Sequence, residues 1–497
     1  MNKAPQRRRG SATPHKVLIF HGWLLRGTGS NVYNASLARA LARLGHEVHL
    51  VCQEREAPDL GAGTPGSVTI HNPDIGGLLP VFVHDAYEGF EVKTFAELTD
   101  AELDRYLELN VSAVRDLVDA LGGVDAALAN HLIMGPVILA RAGLRYAIKV
   151  HGSDLSYTIL PELERWRPYA EQAVAGANGI LVGSGHIAAR LRLAVDDPQT
   201  NAKVRLGPPG VDTALFAPGG GGGGDAATTA SSTWDRDELT AADALRWYAE
   251  AEGPRVIFVG KLLVSTGVDL LLAAWPLVHE RHPDARLLVV GFGTLEAVLR
   301  GVVDGFASGD LEPLRELAGR GRGLEDGEDE RLEMLSAFLD RLPEGYADAA
   351  RAAAGSIRFA GRLEHDEVAA PLAGSDALIF PSTFPEAFGM VAAEAAAAGV
   401  LPVSAAHSGA AEVSRALAEE LPPALRPLLS FELDDRAVDE IAARIDAWLS
   451  LDDGDREAAR ESLRATVERL WSWQGVARGV LAAASGDLDG LPRPGDA

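Results

Sequence analysis

The sequence predicts an α/β protein built from two doubly wound parallel sheets in tandem, and three observations carry that prediction. Val17-Leu-Ile-Phe20 is a short apolar run followed by a glycine-bearing loop, Gly27-Thr-Gly-Ser-Asn31. Val32 to Leu44 then shows helical apolar spacing closed by Gly45, and Val48-His-Leu-Val51 is a second apolar run. This strand-loop-helix-strand unit is how doubly wound sheets begin. A second unit of the same kind starts at Arg255-Val-Ile-Phe-Val259. Between the two, Gly219 to Gly224 are all glycine and lead into Asp225-Ala-Ala-Thr-Thr-Ala-Ser-Ser232. Such composition reads as a flexible linker or disordered insertion and marks the domain boundary.

In the first half, Ala126-Ala-Leu-Ala129, Tyr146-Ala-Ile-Lys-Val150, Gly179-Ile-Leu-Val182 and Val204-Arg-Leu206 continue the strand series. Pro208-Pro-Gly-Val-Asp-Thr-Ala-Leu-Phe216 is a rigid exit turn. In the second half, Arg286-Leu-Leu-Val-Val290, Ser356-Ile-Arg-Phe359 and Ala377-Leu-Ile-Phe380 are strands. The stretch from Val290 to Ser356 far exceeds the dozen or so residues a parallel crossover needs. Its charged middle, Gly323 to Leu332, suggests a helical insertion on the surface at about 299–352. The expected organisation is a disordered tail (1–15), a first domain (16–218), a linker or insertion (219–253), a second domain (254–470) and a closing helix with tail (471–497).

Composition bounds the function. The 497 residues suffice for two or three domains, and 47% hydrophobic residues fit a soluble chain with more than one core. A net charge of −25 argues against nucleic-acid binding and against a broadly basic membrane-docking face. Cys52 is the lone cysteine, which leaves no disulfide framework and no thiolate metal site. No run approaches transmembrane length, and Met1 to Pro14 lacks the apolar core of a secretory signal. A cytoplasmic protein is expected. Arg7-Arg-Arg9, in the expected tail, is a weak contact for anionic lipid at most.

The most informative stretch is Phe380-Pro-Ser-Thr-Phe-Pro-Glu-Ala-Phe-Gly-Met-Val-Ala-Ala-Glu394. An apolar strand leads in, and an Ala-rich run from Ala387 to Ala398 reads as a helix stopped by Gly399. Glu386 then sits at the strand-to-helix turn and Glu394 two turns into the helix. Eight residues at helical rise span roughly 12 Å, about the distance from a sugar to a ribose across a diphosphate. Between them lies a helix N-terminus, whose unpaired N–H groups and positive dipole end suit a phosphate. Two hydroxyl acceptors flanking an anion site is the chemistry of a nucleotide-sugar pocket.

This segment, taken with Val259-Gly-Lys-Leu262, Thr266-Gly267, Gly27-Thr-Gly29, His151-Gly-Ser-Asp154, Gly291-Phe-Gly293, Ser408-Gly409 and Trp471-Ser-Trp473 in that arrangement, resembles the GT-B-fold retaining glycosyltransferases of family four. The resemblance runs from Lys16 to about Leu481. It implies two Rossmann-like domains facing a cleft, with the nucleotide-sugar donor held mainly by the C-terminal domain and the acceptor by the N-terminal one. It implies no cofactor and no required metal. By this resemblance Glu386 contacts sugar hydroxyls and Glu394 bonds the ribose. Lys261 and the residue at Thr266 clamp the diphosphate, and His151 reaches the sugar. Gly27, Gly29, Gly291, Gly293, Phe388, Gly389 and Met390 approach the donor. Asn130 and His131, at a strand end, face the acceptor, and His21 is a weaker instance of the same placement. The usual pattern has Arg at Lys261 and Lys at Thr266, so bidentate geometry is lost at one position and a charge at the other. Arg362, in Ala360-Gly-Arg-Leu363, is a candidate replacement cation.

Other chemistries lack their signatures: there is no HExxH, no Cys/His cluster with metal spacing, no GxSxG and no phosphate loop ending in Gly-Lys-Ser/Thr, and Gly27-Thr-Gly29 followed by Val32 does not complete a GxGxxG after the first strand. The expectation is a retaining hexosyltransferase using a nucleoside-diphosphate sugar. The alternatives are a catalytically weak nucleotide-sugar-binding protein and a phosphorylase or hydrolase on the same fold.

Overall fold

The computed structural model describes residues 14–25, 29–56, 59–82, 87, 89–219 and 237–495. The chain divides into two compact units. Among the described residues, unit 1 is built from 14–183, 187–210 and 473–495, and unit 2 from 184–186 and 211–472.

Unit 1 carries strands β1 (Lys16–Phe20), β2 (Glu47–Val51), β3 (Ser67–His71), β4 (Leu78–Val81), β5 (Glu91–Thr94), β6 (Ala126–Asn130), β7 (Tyr146–Val150), β8 (Ala177–Val182) and β9 (Val204–Leu206). Its main sheet runs β3-β2-β1-β6-β7-β8-β9, and every pair is parallel. Val17 lies opposite Val48 on one side and Ala126 on the other. Strands buried on both faces read as continuous apolar runs, and β1, Lys-Val-Leu-Ile-Phe, is fully buried after its first residue. The helix Trp473–Ser485 belongs to this unit and adds Ala477, Val480 and Ala483 to its core.

Unit 2 carries β10 (Arg255–Val259), β11 (Arg286–Val290), β12 (Ile357–Gly361), β13 (Ala377–Phe380), β14 (Leu401–Ala405) and β15 (Ser430–Phe431). The order is β12-β11-β10-β13-β14-β15, again all parallel. In both sheets the strand order reverses beside the first strand of the unit, between β1 and β6 and between β10 and β13. Ligands of doubly wound sheets bind beyond the carboxyl ends of strands at such reversals.

The structure corrects three expectations. The stretch expected as linker holds a helix, Glu238–Ala249, capped by Asp237. Ala241, Ala244 and Tyr248 are buried at helical spacing, and the Tyr248 hydroxyl is 2.7 Å from Ser375 Oγ. The polyglycine ahead of it, from Gly220, lies outside the described residues, as do the expected tail 1–13 and Gly27. The insertion is helical (Glu296–Ser308, Glu312–Arg320, Glu333–Leu339, Tyr346–Ala353), but it is no surface appendage. Leu299, Phe306, Leu317, Phe338 and Tyr346 belong to the core of unit 2. Finally, the Ala-rich helix starts at Met390 rather than Ala387, and this moves Glu394 to little more than one turn inside it. Strand β3 escaped sequence reading because it is a half-exposed edge strand, where apolar runs give way to polar residues.

Cys52 is buried as expected, and burial pushes its thiol up to about 12.

Candidate functional site

Strand β13 ends at Phe380, and the chain turns through Pro381 to Gly389 into the helix Met390–Ala397. Gly389 precedes that helix at φ 103°, a conformation that disfavours a side chain, and no side chain caps the helix N-terminus. Its first amides therefore stay available to an anion. Glu386 is fixed from several directions. Its carboxylate accepts from Ser382 Oγ at 2.9 Å, its amide donates to Ser408 Oγ at 2.8 Å, and its carbonyl accepts from the Gly409 amide at 2.9 Å. Burial raises the Glu386 carboxyl above its ordinary value, against the opposing pull of Ser382 and His407. His407 Nε2 donates to the Ser382 carbonyl at 2.7 Å. Glu394 is 4% exposed, and its Oε1 accepts from His365 Nε2 at 2.8 Å.

The loop after β10 brings in Lys261, which is exposed and has no ion pair recorded among the described residues. The Thr266 hydroxyl is turned inward, 2.8 Å from the Lys261 carbonyl and 2.7 Å from that of Leu263. It holds the loop together rather than pointing to a ligand. The insertion contributes Glu325, whose Oε1 accepts from the Val264 amide at 2.9 Å. Glu325 also faces Asp269, whose carboxyl burial pushes up to about 7 despite hydrogen bonds from its own and the Leu270 amide. The position where the family pattern has lysine therefore lies in a loop held by a carboxylate.

Gly291 and Gly293 have a packing role of their own. A Cβ on Gly291 would stand 1.8 Å from the Gly260 carbonyl oxygen, and one on Gly293 2.3 Å from that of Leu262. Glycine at both positions lets the loops after β10 and β11 lie against each other. Between them Phe292 is exposed, with the Arg362 guanidinium 4.8 Å from its ring. Arg362 pairs with Glu364 at 3.4 Å, so it is an engaged side chain at the same sheet end. The Phe388 side chain packs edge-on against Trp471, so only its backbone is left for a donor. Met390 is half-buried.

In unit 1, the carboxyl ends of β1, β6 and β7 gather His21, Asn130, His131 and His151. Asn34, from the helix Gly29–Arg43, exchanges amide hydrogen bonds with Asn130 at 2.8 and 3.1 Å. His151 Nε2 is 2.8 Å from Asn130 Oδ1 and must donate, which leaves Nδ1 as the acceptor of a neutral ring. His21 Nε2 lies between two acceptors, Asn31 Oδ1 at 2.8 Å and the Leu24 carbonyl at 3.0 Å, while its Nδ1 accepts from Asn34 at 3.0 Å. Burial lowers His21 to about 4, and burial with the neighbouring His131, Lys149 and His21 charges holds His151 well below its ordinary value. His131, at φ 63°, stacks 4.7 Å from the His151 ring. Its Nδ1 is 3.7 Å from Asp154 Oδ1, and both atoms are buried without a hydrogen-bond partner. Lys149 lies buried behind this cluster; its Nζ donates to the Gly207 carbonyl at 2.5 Å, and burial brings it down to about 7. Gly29 opens the helix, with nothing within 4 Å of where its Cβ would stand.

The structure thus brings Glu386, Glu394, Lys261, Gly389 and the Gly291–Gly293 loop to one sheet end of unit 2. It brings Asn130, His131 and His151 to the corresponding end of unit 1. Sequence reading missed Ser382, His365, His407 and Glu325 in unit 2, and Asn34, Lys149 and Asp154 in unit 1. His365 and Glu325 gave no local signal, since they lie 29 and 61 residues from their partners. Among the described residues no group of three His, Cys, Asp or Glu is placed to hold a metal ion, and no helix is long and apolar enough to cross a membrane.

Comparisons with known proteins match segments of both units. A family model described as Glycosyltransferase Family 4 matches residues 27–215, and one described as Glycosyl transferases group 1 matches residues 347–465. Glycogen synthase of Mycobacterium tuberculosis is 28% identical over 263 residues, covering 50% of this chain and 49% of that protein. The matched stretch thus spans about half the length of that relative. D-inositol 3-phosphate glycosyltransferase of Acidothermus cellulolyticus is 27% identical over 395 residues, covering 77% of this chain and 71% of that one. The solved structure of Anabaena HepE with UDP and glucose aligns with a TM-score of 0.56 at 14% identity, over 95% of this chain and 99% of that one, a likeness of fold. The two parallel-sheet units have the GT-B fold, and the segments 27–215 and 347–465 are similar to those of family-four-like glycosyltransferases.

Proposed function

We propose that the protein transfers a hexosyl group, with retention of configuration, from a nucleoside-diphosphate hexose to a hydroxyl of a polyol or glycan acceptor. The observation that carries this reading is a pair of carboxylates, the half-buried Glu386 and the buried Glu394, on either side of an uncapped helix N-terminus. In this reading Glu394 accepts from the ribose hydroxyls and the amides after Gly389 take the distal phosphate. Glu386 accepts from the sugar hydroxyls. Lys261 offsets the charge that grows on the leaving diphosphate. The C1–O bond to phosphate breaks, the C1–O bond to the acceptor forms on the same face, and the acceptor proton passes to the leaving phosphate. In unit 1 the neutral His151 offers its Nδ1 as an acceptor to a hydroxyl, and Asn130 orients the ring through Nε2. The relatives support the acceptor class: by their names they act on glycogen and on an inositol phosphate, both polyhydroxylated. The HepE complex supports a uridine nucleotide as a first donor to test.

The test is release of nucleoside diphosphate from a panel of UDP-, GDP- and ADP-hexoses, with and without inositol phosphate or glycan acceptors. Acceptor-dependent release with an α-linked product from an α-linked donor is expected, and it should survive a chelator. The inward-turned Thr266 hydroxyl favours a second reading, a nucleotide-sugar-binding protein with one clamp cation. Donor binding without turnover on any acceptor selects it.

A further inference from the structure

We propose that His365 is a positioning residue that fixes the Glu394 carboxylate and thereby sets the preference for ribose over 2′-deoxyribose in the bound nucleotide. The proposal deepens the reading of Glu394 as the ribose ligand and rests on it. His365 opens the helix His365–Ala373, just after β12, and reaches across to Glu394 in the helix Met390–Ala397. Its Nε2 donates to Glu394 Oε1 at 2.8 Å. The Phe216 ring stands edge-on 5.1 Å away and limits the imidazole's freedom. The side chain of Glu394 is 5% exposed and that of His365 37%, so the ring is what connects the carboxylate to solvent.

A glutamate has three side-chain torsions, and a vicinal diol needs its two acceptor oxygens held in one orientation. One charge-assisted N–H to Oε1 selects that orientation and leaves Oε2 and the second lone pair of Oε1 for two hydroxyl donors. Without the imidazole, a buried carboxylate has no fixed partner. It reorients or takes up a proton, and either change removes an acceptor from the diol. The charged groups that face the ring are Glu394 from its own helix, Asp366 from the ring's helix and Asp212 from the segment that carries Phe216. Burial of the ring opposes its protonation, but these three acids outweigh it and hold His365 above its ordinary value.

The experiment measures affinities for UDP and 2′-deoxy-UDP, and for the GDP and ADP pairs, by calorimetry on the full chain. The wild type, Glu394→Ala, His365→Ala and His365→Gln are compared, with folding of each followed by circular dichroism. The wild type should prefer the ribonucleotide, and both alanine variants should lose about tenfold or more of that preference while binding the deoxynucleotide as before. His365→Gln keeps an N–H donor and should recover part of the preference. Raising the pH through the His365 titration should reduce the wild-type preference and leave that of His365→Gln flat. If Glu394→Ala abolishes the preference and the folded His365→Gln and His365→Ala both keep it, the role of His365 is overturned alone. If the wild type and Glu394→Ala show the same preference, or the wild type binds no nucleotide, the ribose reading falls and this proposal with it.

Discussion

Two histidine settings in this protein shift protonation in opposite directions. In unit 1, His21 and His151 lie among amide side chains that supply donors and acceptors but no carboxylate partner, and burial keeps both rings neutral. In unit 2, His365 lies against Glu394, with Asp366 and Asp212 near, and is held above its ordinary value. The difference separates what the two units offer a ligand. Neutral imidazoles and amides suit uncharged hydroxyls, and their mutual bonds make the cluster part of the structure of unit 1. The unit 2 groups keep unused capacity: an uncapped helix, an exposed Lys261 and carboxylates with few protein partners. Unit 2 substitutions should therefore change ligand chemistry with little change in stability, and unit 1 substitutions the reverse.

The sharpest test of that contrast is removal of charge from unit 2. Glu386→Gln and Lys261→Ala should each lower kcat by about 10²–10³, the range seen when one group that stabilises a transition state is lost. Melting temperatures by calorimetry should stay within a degree or two of wild type. A large fall in melting temperature would show that these groups are structural after all.

Acid should break unit 1 first. His21 has a folded value of about 4 against an ordinary 6.5, so the folded state binds fewer protons than the unfolded chain between those values. Its contribution is complete above pH 6.5 and is lost as pH falls toward 4, at roughly 3 kcal/mol by 1.36 kcal/mol per unit. His365 has the opposite sign: its contribution is complete below pH 6.5 and fades as pH rises through its raised value. Denaturant unfolding at pH 7 and 5, with His21→Gln as the control that flattens the acid limb, measures the difference.

Asn130 bonds Asn34, His151 and the Phe20 carbonyl, so Asn130→Ala should strand several buried polar groups and cost about 1–3 kcal/mol. A smaller loss of stability together with a large loss of activity would place Asn130 in the chemistry instead. The mildest expected effect is Thr266→Lys, which restores the missing cation at the expense of two contacts within the loop. Donor affinity should rise about twofold to fivefold, the worth of an exposed ion pair. No change in affinity would mean that the diphosphate lies elsewhere.

The sequence by itself determined a good deal. Apolar runs at β1, β2, β10, β11 and β13 are legible because strands covered on both faces need them, and residue choice there answers to the backbone's immediate surroundings. Glu386, Glu394 and Gly389 are legible because one turn of chain carries them all. The helix Glu238–Ala249 lies in the stretch whose composition reads as linker: Ala241, Ala244 and Tyr248 stand at helical spacing, but the adjoining polyglycine dominates that reading. Only the tertiary structure decided the rest. It set His365 against Glu394 and Glu325 against Val264, made the insertion part of the unit 2 core, turned the Thr266 hydroxyl inward and gave Gly291 a packing role. Each of these depends on which strand ends lie side by side. That follows from sheet order, and sheet order is fixed by burial summed over the whole chain rather than by any local run of residues.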